Sequence, residues 1–171
     1  MTKREAVFSK DTANKKLTVV RPFDAALDQV WNAWTQSELL DQWWAPKPYR
    51  AVTKAMDFRE GGFWLYAMTS PDNHITWCKE DYKTIVFHKR ITNSNSFSDE
   101  AGKVNPDFPV MQWKKEFTQT GSDTTVTVEI SFASEADMET IIKMGFKEGF
   151  TMGLNNLDDY LSTHTTTKAT R

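Results

Sequence analysis

The segment Ser134–Leu161 (SEADMETIIKMGFKEGFTMGLNNLDDYL) constrains the fold more than any other stretch. Ser134 followed three residues later by Asp137 is a near capping box, a well-marked helix start. Apolar residues then recur at Met138, Ile141, Ile142, Phe146, Phe150, Gly153, Leu154, Leu157 and Leu161, a stripe at helical spacing. A continuous helix over this span is a rod of roughly 40 Å. Gly145 and Gly149 fall one turn apart in its middle, where each costs about 1 kcal/mol against alanine. Either something approaches the backbone there or the helix bends. A striped rod of this length needs a concave partner, and the preceding sequence offers strands to make one.

Those strands are legible in order. Leu17–Phe23 is rich in β-formers. Two short helices follow: one with Leu27, Val30, Trp31 and Trp34 at helical spacing behind Asp24, and one over Glu38–Trp44 behind Ser37, stopped by Ala45-Pro46-Lys47-Pro48. Tyr49–Phe58 and Phe63–Thr69 read as strands around the Glu60-Gly61-Gly62 turn. Ser70-Pro71-Asp72-Asn73 is turn chemistry, which makes Phe63–Thr69 and Ile75–Glu80 a hairpin. Ile85–Thr92 is read as the next strand, and Asn93–Pro109 as a long irregular loop, a flap or a solvated connection. Val110–Thr118 and Thr124–Phe132 close a second hairpin, the latter with the cleanest two-residue alternation in the chain. Strands joined by hairpins, with helices near the two ends, define an α+β chain: a curved antiparallel sheet of about six or seven strands wrapped round a long C-terminal helix, with two short helices after the first strand. A sheet that twists away from a straight rod leaves a gap between them.

The 171 residues suit one domain, placed at 17–161. Residues 1–16 are a polar segment expected to be partly disordered, with Ala6-Val7-Phe8 able to add a short strand or pack as a patch. Residues 162–171 offer nothing to bury and are expected to be disordered. A formal net charge of −2 provides no basic field for nucleic acid. One cysteine, Cys78, excludes an internal disulfide and fits a cytoplasmic setting. No apolar run is long enough to span a membrane, and the N-terminus has no signal-peptide core. His74, His88 and His164 are too scattered for a metal site, so neither a metal nor another cofactor is expected. No catalytic residue is assigned, because neither Cys78 nor the Asp57/Glu60 pair has a partner at reactive spacing.

LTVVRPFDAALDQVWNAWT with ELLDQWWAP, MDFREGGFWLYAM followed by SPDN, and GFKEGFTMGLNNLDDYL together resemble the SRPBCC or START-like superfamily. Within it they are most similar to the bacterial branch named after the activator of heat-shock-protein-90 ATPase. The resemblance implies the helix-grip fold, in which a bent sheet grips the last helix and an internal cavity lies between them. One departure concerns Lys115, where related sequences tend to carry an apolar residue. Alternation puts Met111, Trp113, Lys115 and Phe117 on one face, so either a bulge re-aims Lys115 or a cation sits at the cavity wall or mouth.

Within this frame Trp64, Tyr66 and Met68 resemble the family's cavity-facing triplet. Trp77, Trp113, Lys115, Phe117, Phe146 and Phe150 join them as candidate cavity residues. The bland alternative is that these rings meet and fill the centre. Trp43 and Trp44 read as a plug at one end of the cavity. Three functions follow: non-catalytic binding of a small hydrophobic ligand, aromatic or lipid-like; a cyclase- or hydrolase-like enzyme using Tyr66, Lys115 or His88 in the same cavity; and a chaperone-associated interaction domain with a protein partner. The first is the leading reading.

Overall fold

The computed structural model describes residues 5–169, with side chains described to Thr163. Residues 1–4 and 170–171, the outer ends of the segments expected to be disordered, lie outside the described residues.

Among the described residues, eight strands form one antiparallel sheet: β1 (Val7–Asp11), β2 (Lys16–Phe23), β3 (Arg50–Asp57), β4 (Phe63–Thr69), β5 (Ile75–Val86), β6 (Arg90–Ser98), β7 (Met111–Thr120) and β8 (Asp123–Ser131). Their spatial order is β1-β2-β8-β7-β6-β5-β4-β3. Helices α1 (Leu27–Thr35) and α2 (Ser37–Trp43) connect β2 to β3, and α3 (Glu135–Lys143) and α4 (Phe146–Ala169) follow β8. Register breaks at Thr53/Ala55 in β3 and Tyr82/Thr84 in β5 bend the sheet, as bulges do. The helix-grip architecture is therefore present, with one strand more than the upper count expected. The extra strand is β1, where Val7 and Phe8 pair with Val20 and Val19 and the Phe8 ring meets Phe146 edge-on at 6.5 Å. The two short helices accordingly follow the second strand.

The continuous rod expected over Ser134–Leu161 is instead broken in two. Ser134 caps α3 as read, its hydroxyl accepting the Asp137 N–H at 3.1 Å. Gly145 then takes φ +88°, a left-handed conformation that ends α3, and α4 begins at Phe146. Further along, Gly153 has a different task. A β-carbon there would lie 3.0 Å from the Trp44 carbonyl oxygen, so the missing side chain lets α4 press onto the Trp43–Trp44 backbone. Asn156 fixes the same contact by donating to the carbonyls of Trp43 and Ala45 at 3.4 and 3.2 Å. Beyond Leu161 the helix continues to Ala169, because adding a turn to an existing helix is far easier than nucleating one.

Two strand boundaries differ from the sequence reading. Ile85–Thr92 is divided by a turn at 87–89, with His88 at φ +63° and neither glycine nor proline to mark it. The first residues of the expected loop, Asn93–Ser98, belong to β6. The rest folds back over the outer sheet face, where Gly102 approaches Leu65 and Lys79 and Lys54 donates to the Glu100 carbonyl at 3.0 Å. The core between sheet and helices is dense with aromatics, Trp34, Trp43 and Trp64 among its largest fully buried side chains. Leu154, Leu157 and Leu161 are the buried stripe of α4.

Candidate functional site

Alternation along β4 to β7 directs one set of side chains toward α3 and α4. Between them lies a pocket of about 200 Å³. The sheet contributes Tyr66, Met68, Cys78, Asn95, Phe97, Met111 and Trp113. The helices contribute Ile141, Met144, Phe146, Phe150 and the two glycines 145 and 149, and the connection after α2 contributes Trp44 and Pro46. None of these carries a charge at neutral pH. Met144 is half exposed and Met68, Phe97 and Pro46 are partly buried, so these form the rim.

Of the nine residues singled out from sequence, Tyr66, Met68, Trp113, Phe146 and Phe150 border the pocket. Trp64 stacks on Tyr66 with ring centroids 3.9 Å apart and stands behind it, its Nε1–H donating to Thr53 at 3.0 Å. Phe117 lies deeper still, against Trp31 at 5.0 Å and Trp34 at 6.1 Å. Trp77 faces the other way. It pairs with Ala67 across the β4–β5 ladder and its ring sits 5.8 Å from Lys54 Nζ, on the outer face of the sheet. Its neighbour Cys78 takes the inward position, so the phase assumed for this strand was off by one residue.

Lys115 does point inward, without a bulge to turn it, yet it does not reach the pocket wall. It is 2% exposed and its Nζ donates to Glu80 Oε1 at 3.0 Å. Trp34, Trp44 and Trp113 surround the ammonium at 5.6–5.9 Å from their ring centroids, a cation–π cage. Asn95 Nδ2 donates to the other carboxylate oxygen of Glu80 at 3.3 Å. This buried pair satisfies itself instead of offering a free charge.

The pocket's own polar atoms are few. The Tyr66 hydroxyl accepts from Trp44 Nε1 at 2.8 Å, and Tyr66 sits opposite Cys78 across the β4–β5 ladder. Burial, with the nearby Glu80 carboxylate adding to it, pushes the Cys78 thiol up to about 12; burial likewise raises the Tyr66 hydroxyl well above its ordinary value. Both groups stay protonated at neutral pH. Trp113 Nε1 is buried with no hydrogen-bond partner among the described residues.

Trp44, which the sequence paired with Trp43 as an end plug, borders the pocket, whereas Trp43 does not border it and is buried with its Nε1 donating to the Ala33 carbonyl at 2.9 Å. Asn95 was missed because Asn93–Pro109 reads as loop composition, and its Asn–Ser alternation has no apolar face to reveal a strand. His88 lies in the β5–β6 turn against Trp31 and Phe87, away from the pocket. The far part of the 99–109 loop returns to the rim, where Phe108 meets Phe97 at 5.0 Å. No group of three or more His, Cys, Asp or Glu side chains suited to a metal comes together among the described residues. No helix among them is long and apolar enough to cross a membrane.

The model of the family described as Activator of Hsp90 ATPase homolog 1-like protein matches residues 24–162. Among solved structures, a protein from Arthrobacter aurescens is 27% identical, with 92% of this chain and 91% of that one covered at a TM-score of 0.87. A Mycobacterium smegmatis protein is 25% identical, with 91% and 96% covered and a TM-score of 0.84. A Silicibacter pomeroyi protein that bears the family's name shares the fold at 14% identity, with 87% and 99% covered and a TM-score of 0.70. No curated protein matches.

Proposed function

For a chain that belongs to the Activator of Hsp90 ATPase homolog 1-like family, within the SRPBCC superfamily, we propose non-catalytic binding of a small hydrophobic ligand between the sheet and the C-terminal helices. Gly149 carries the proposal. It sits inside α4 on the pocket wall, its φ is not left-handed, and a β-carbon there would meet nothing nearer than Pro46 Cγ at 3.7 Å. Alanine would fit and would favour the helix, so the glycine's contribution is open space. A ligand is what makes such space useful.

Size narrows the class. An apolar cavity of about 150 Å³ accepts benzene, and pockets for larger drug-like molecules begin at about 300 Å³. The pocket here, at about 200 Å³, suits a single aromatic ring or a short aliphatic chain, and an extended acyl chain exceeds it. An uncharged lining with Tyr66 and Cys78 held protonated favours a binding wall over a general base.

The test is titration of toluene, hexanol and octanoate into the isotope-labelled protein, following amide shifts and tryptophan fluorescence. Saturable shifts clustered at residues 66–68, 95–97 and 141–150 support the reading. A panel that leaves those amides unmoved removes it.

A further inference from the structure

We infer that a second, polar cleft beside the apolar pocket binds a small zwitterion, a molecule with both carboxylate and ammonium groups, of which an aminodicarboxylate such as aspartate is the fullest match. The inference goes beyond the binding role proposed above and does not depend on it. It comes from three charged side chains that line one cleft and have no charge partner among the described residues.

The link between α2 and β3 divides its residues between two spaces. Trp44 and Pro46 border the apolar pocket, whereas Ala45 and Lys47 border a cleft of about 180 Å³, together with Asp41 of α2, Arg50 of β3 and Asn156 of α4. The cleft is a built feature. Asn156 donates to the carbonyls of Trp43 and Ala45 at 3.4 and 3.2 Å, which ties α4 to the link. The Tyr49 N–H donates to the Pro46 carbonyl at 2.9 Å and closes the turn that carries Lys47.

Lys47 and Arg50 are exposed and Asp41 is half-buried. Opposite charges thus line one cleft, yet no nitrogen of Lys47 or Arg50 comes within 4.0 Å of a carboxylate oxygen of Asp41 or of any other described residue. Asp41 is held in place from behind: the Thr53 hydroxyl donates to its Oδ1 at 2.6 Å and accepts from Trp64 Nε1 at 3.0 Å. Its second oxygen, Oδ2, has no hydrogen-bond partner among the described residues.

A guanidinium takes a carboxylate in two parallel hydrogen bonds, and a lysine ammonium takes another as a point charge. Two carboxylates on Arg50 and Lys47, with an ammonium on Asp41, match every charge in the cleft. A simple dianion would leave Asp41 as an unmatched like charge, and a simple amine would meet two cations. Volume sets the upper limit, since pockets for drug-sized molecules begin at about 300 Å³.

Three probes separate the charges: aspartate, succinate, which lacks the ammonium, and methylammonium, which lacks the carboxylates. The assay follows amide shifts at residues 41–51 and the Trp64 indole resonance at pH 7 and constant ionic strength. Exposed ion pairs are weak, so dissociation constants are expected on the order of millimolar, with aspartate about threefold tighter than succinate and no saturation by methylammonium. The Trp64 indole should move with aspartate, through Thr53, and stay with succinate. Asp41→Asn, which keeps the acceptor for Thr53, should abolish the preference for aspartate, and Arg50→Gln should weaken both acids by about threefold. If Asp41→Asn does not fold, the wild-type indole shift decides. Succinate as tight as aspartate, an unmoved indole, an Arg50→Gln variant that binds aspartate as well as the wild type, or the absence of saturable shifts at 41–51 each overturns the inference. None of these outcomes touches the apolar pocket, whose amides at 95–97 and 141–150 should stay still with aspartate; movement there instead of at 41–51 overturns the assignment to the cleft.

Discussion

Replacing Gly149 with alanine should make the protein more stable. The site is helical, its φ is not left-handed, and the added methyl group meets Pro46 Cγ at 3.7 Å, an ordinary van der Waals contact. What remains is the intrinsic preference for alanine over glycine inside a helix, about 0.5–1 kcal/mol. For a domain of this length that raises Tm by roughly 1–4 °C. The neighbouring glycines provide the contrast. Gly145→Ala meets open space, yet it forces a β-carbon into φ +88° and should cost about 1–2 kcal/mol. Gly153→Ala drives a β-carbon to 3.0 Å from a carbonyl oxygen of the chain itself and should cost about 1–3 kcal/mol. Urea denaturation of the three variants gives the ranking directly, provided that the m-value is unchanged. A neutral or destabilising Gly149→Ala would refute the claim that this glycine is kept for space. Gly149→Leu extends the same logic into the pocket and should weaken toluene at least about tenfold while the fold survives.

Other perturbations have equally definite outcomes. Lys115→Met strands the Glu80 carboxylate in the core and should destabilise by about 3–5 kcal/mol; adding Glu80→Gln should restore most of the loss, as a double-mutant cycle in urea would record. Alkaline pH should unfold the protein through its buried acids. Cys78, Tyr66 and Tyr82 all have raised folded-state values, so their stabilisation is complete below the unfolded values of 9.0 and 10.0 and is lost as pH climbs above them. The slope is on the order of 1.4 kcal/mol per pH unit for each group, and Cys78→Ala should remove its share between pH 9 and about 12. Phe8→Ala removes the aromatic contact of β1 with Phe146 and should speed amide exchange in β1 while leaving β4 and β5 protected.

The architecture was legible wherever one residue type has one physical meaning. Phe63–Thr69 was bounded correctly because a double glycine precedes it and a proline turn follows, and Ser134 announced its helix by its own side chain. The break at Gly145 was harder. Composition marks Gly145, Gly149 and Gly153 alike, and their three tasks, a reversal of φ, open space and close approach, depend on neighbours distant in sequence. The same holds for Lys115, whose partner Glu80 is brought opposite by strand pairing alone. Trp77 went to the wrong face because β5 is apolar on both sides near its start, which leaves its phase undetermined by pattern. Asn95 sits in a stretch with the vocabulary of a loop, and only the β6 ladder makes it a wall.

The neighbour relations of β2 also bear on how the chain reaches this state. It is held by β8, far along the sequence, with Leu17 opposite Ile130 and Phe23 opposite Thr124. Its buried Arg21 waits for Asp158 on the final helix. Until β8 is made, one side of β2 has no strand to pair with, so this part of the sheet forms only after the intervening strands and helices have been synthesised. Such long-range closure slows folding relative to a helical bundle of equal length.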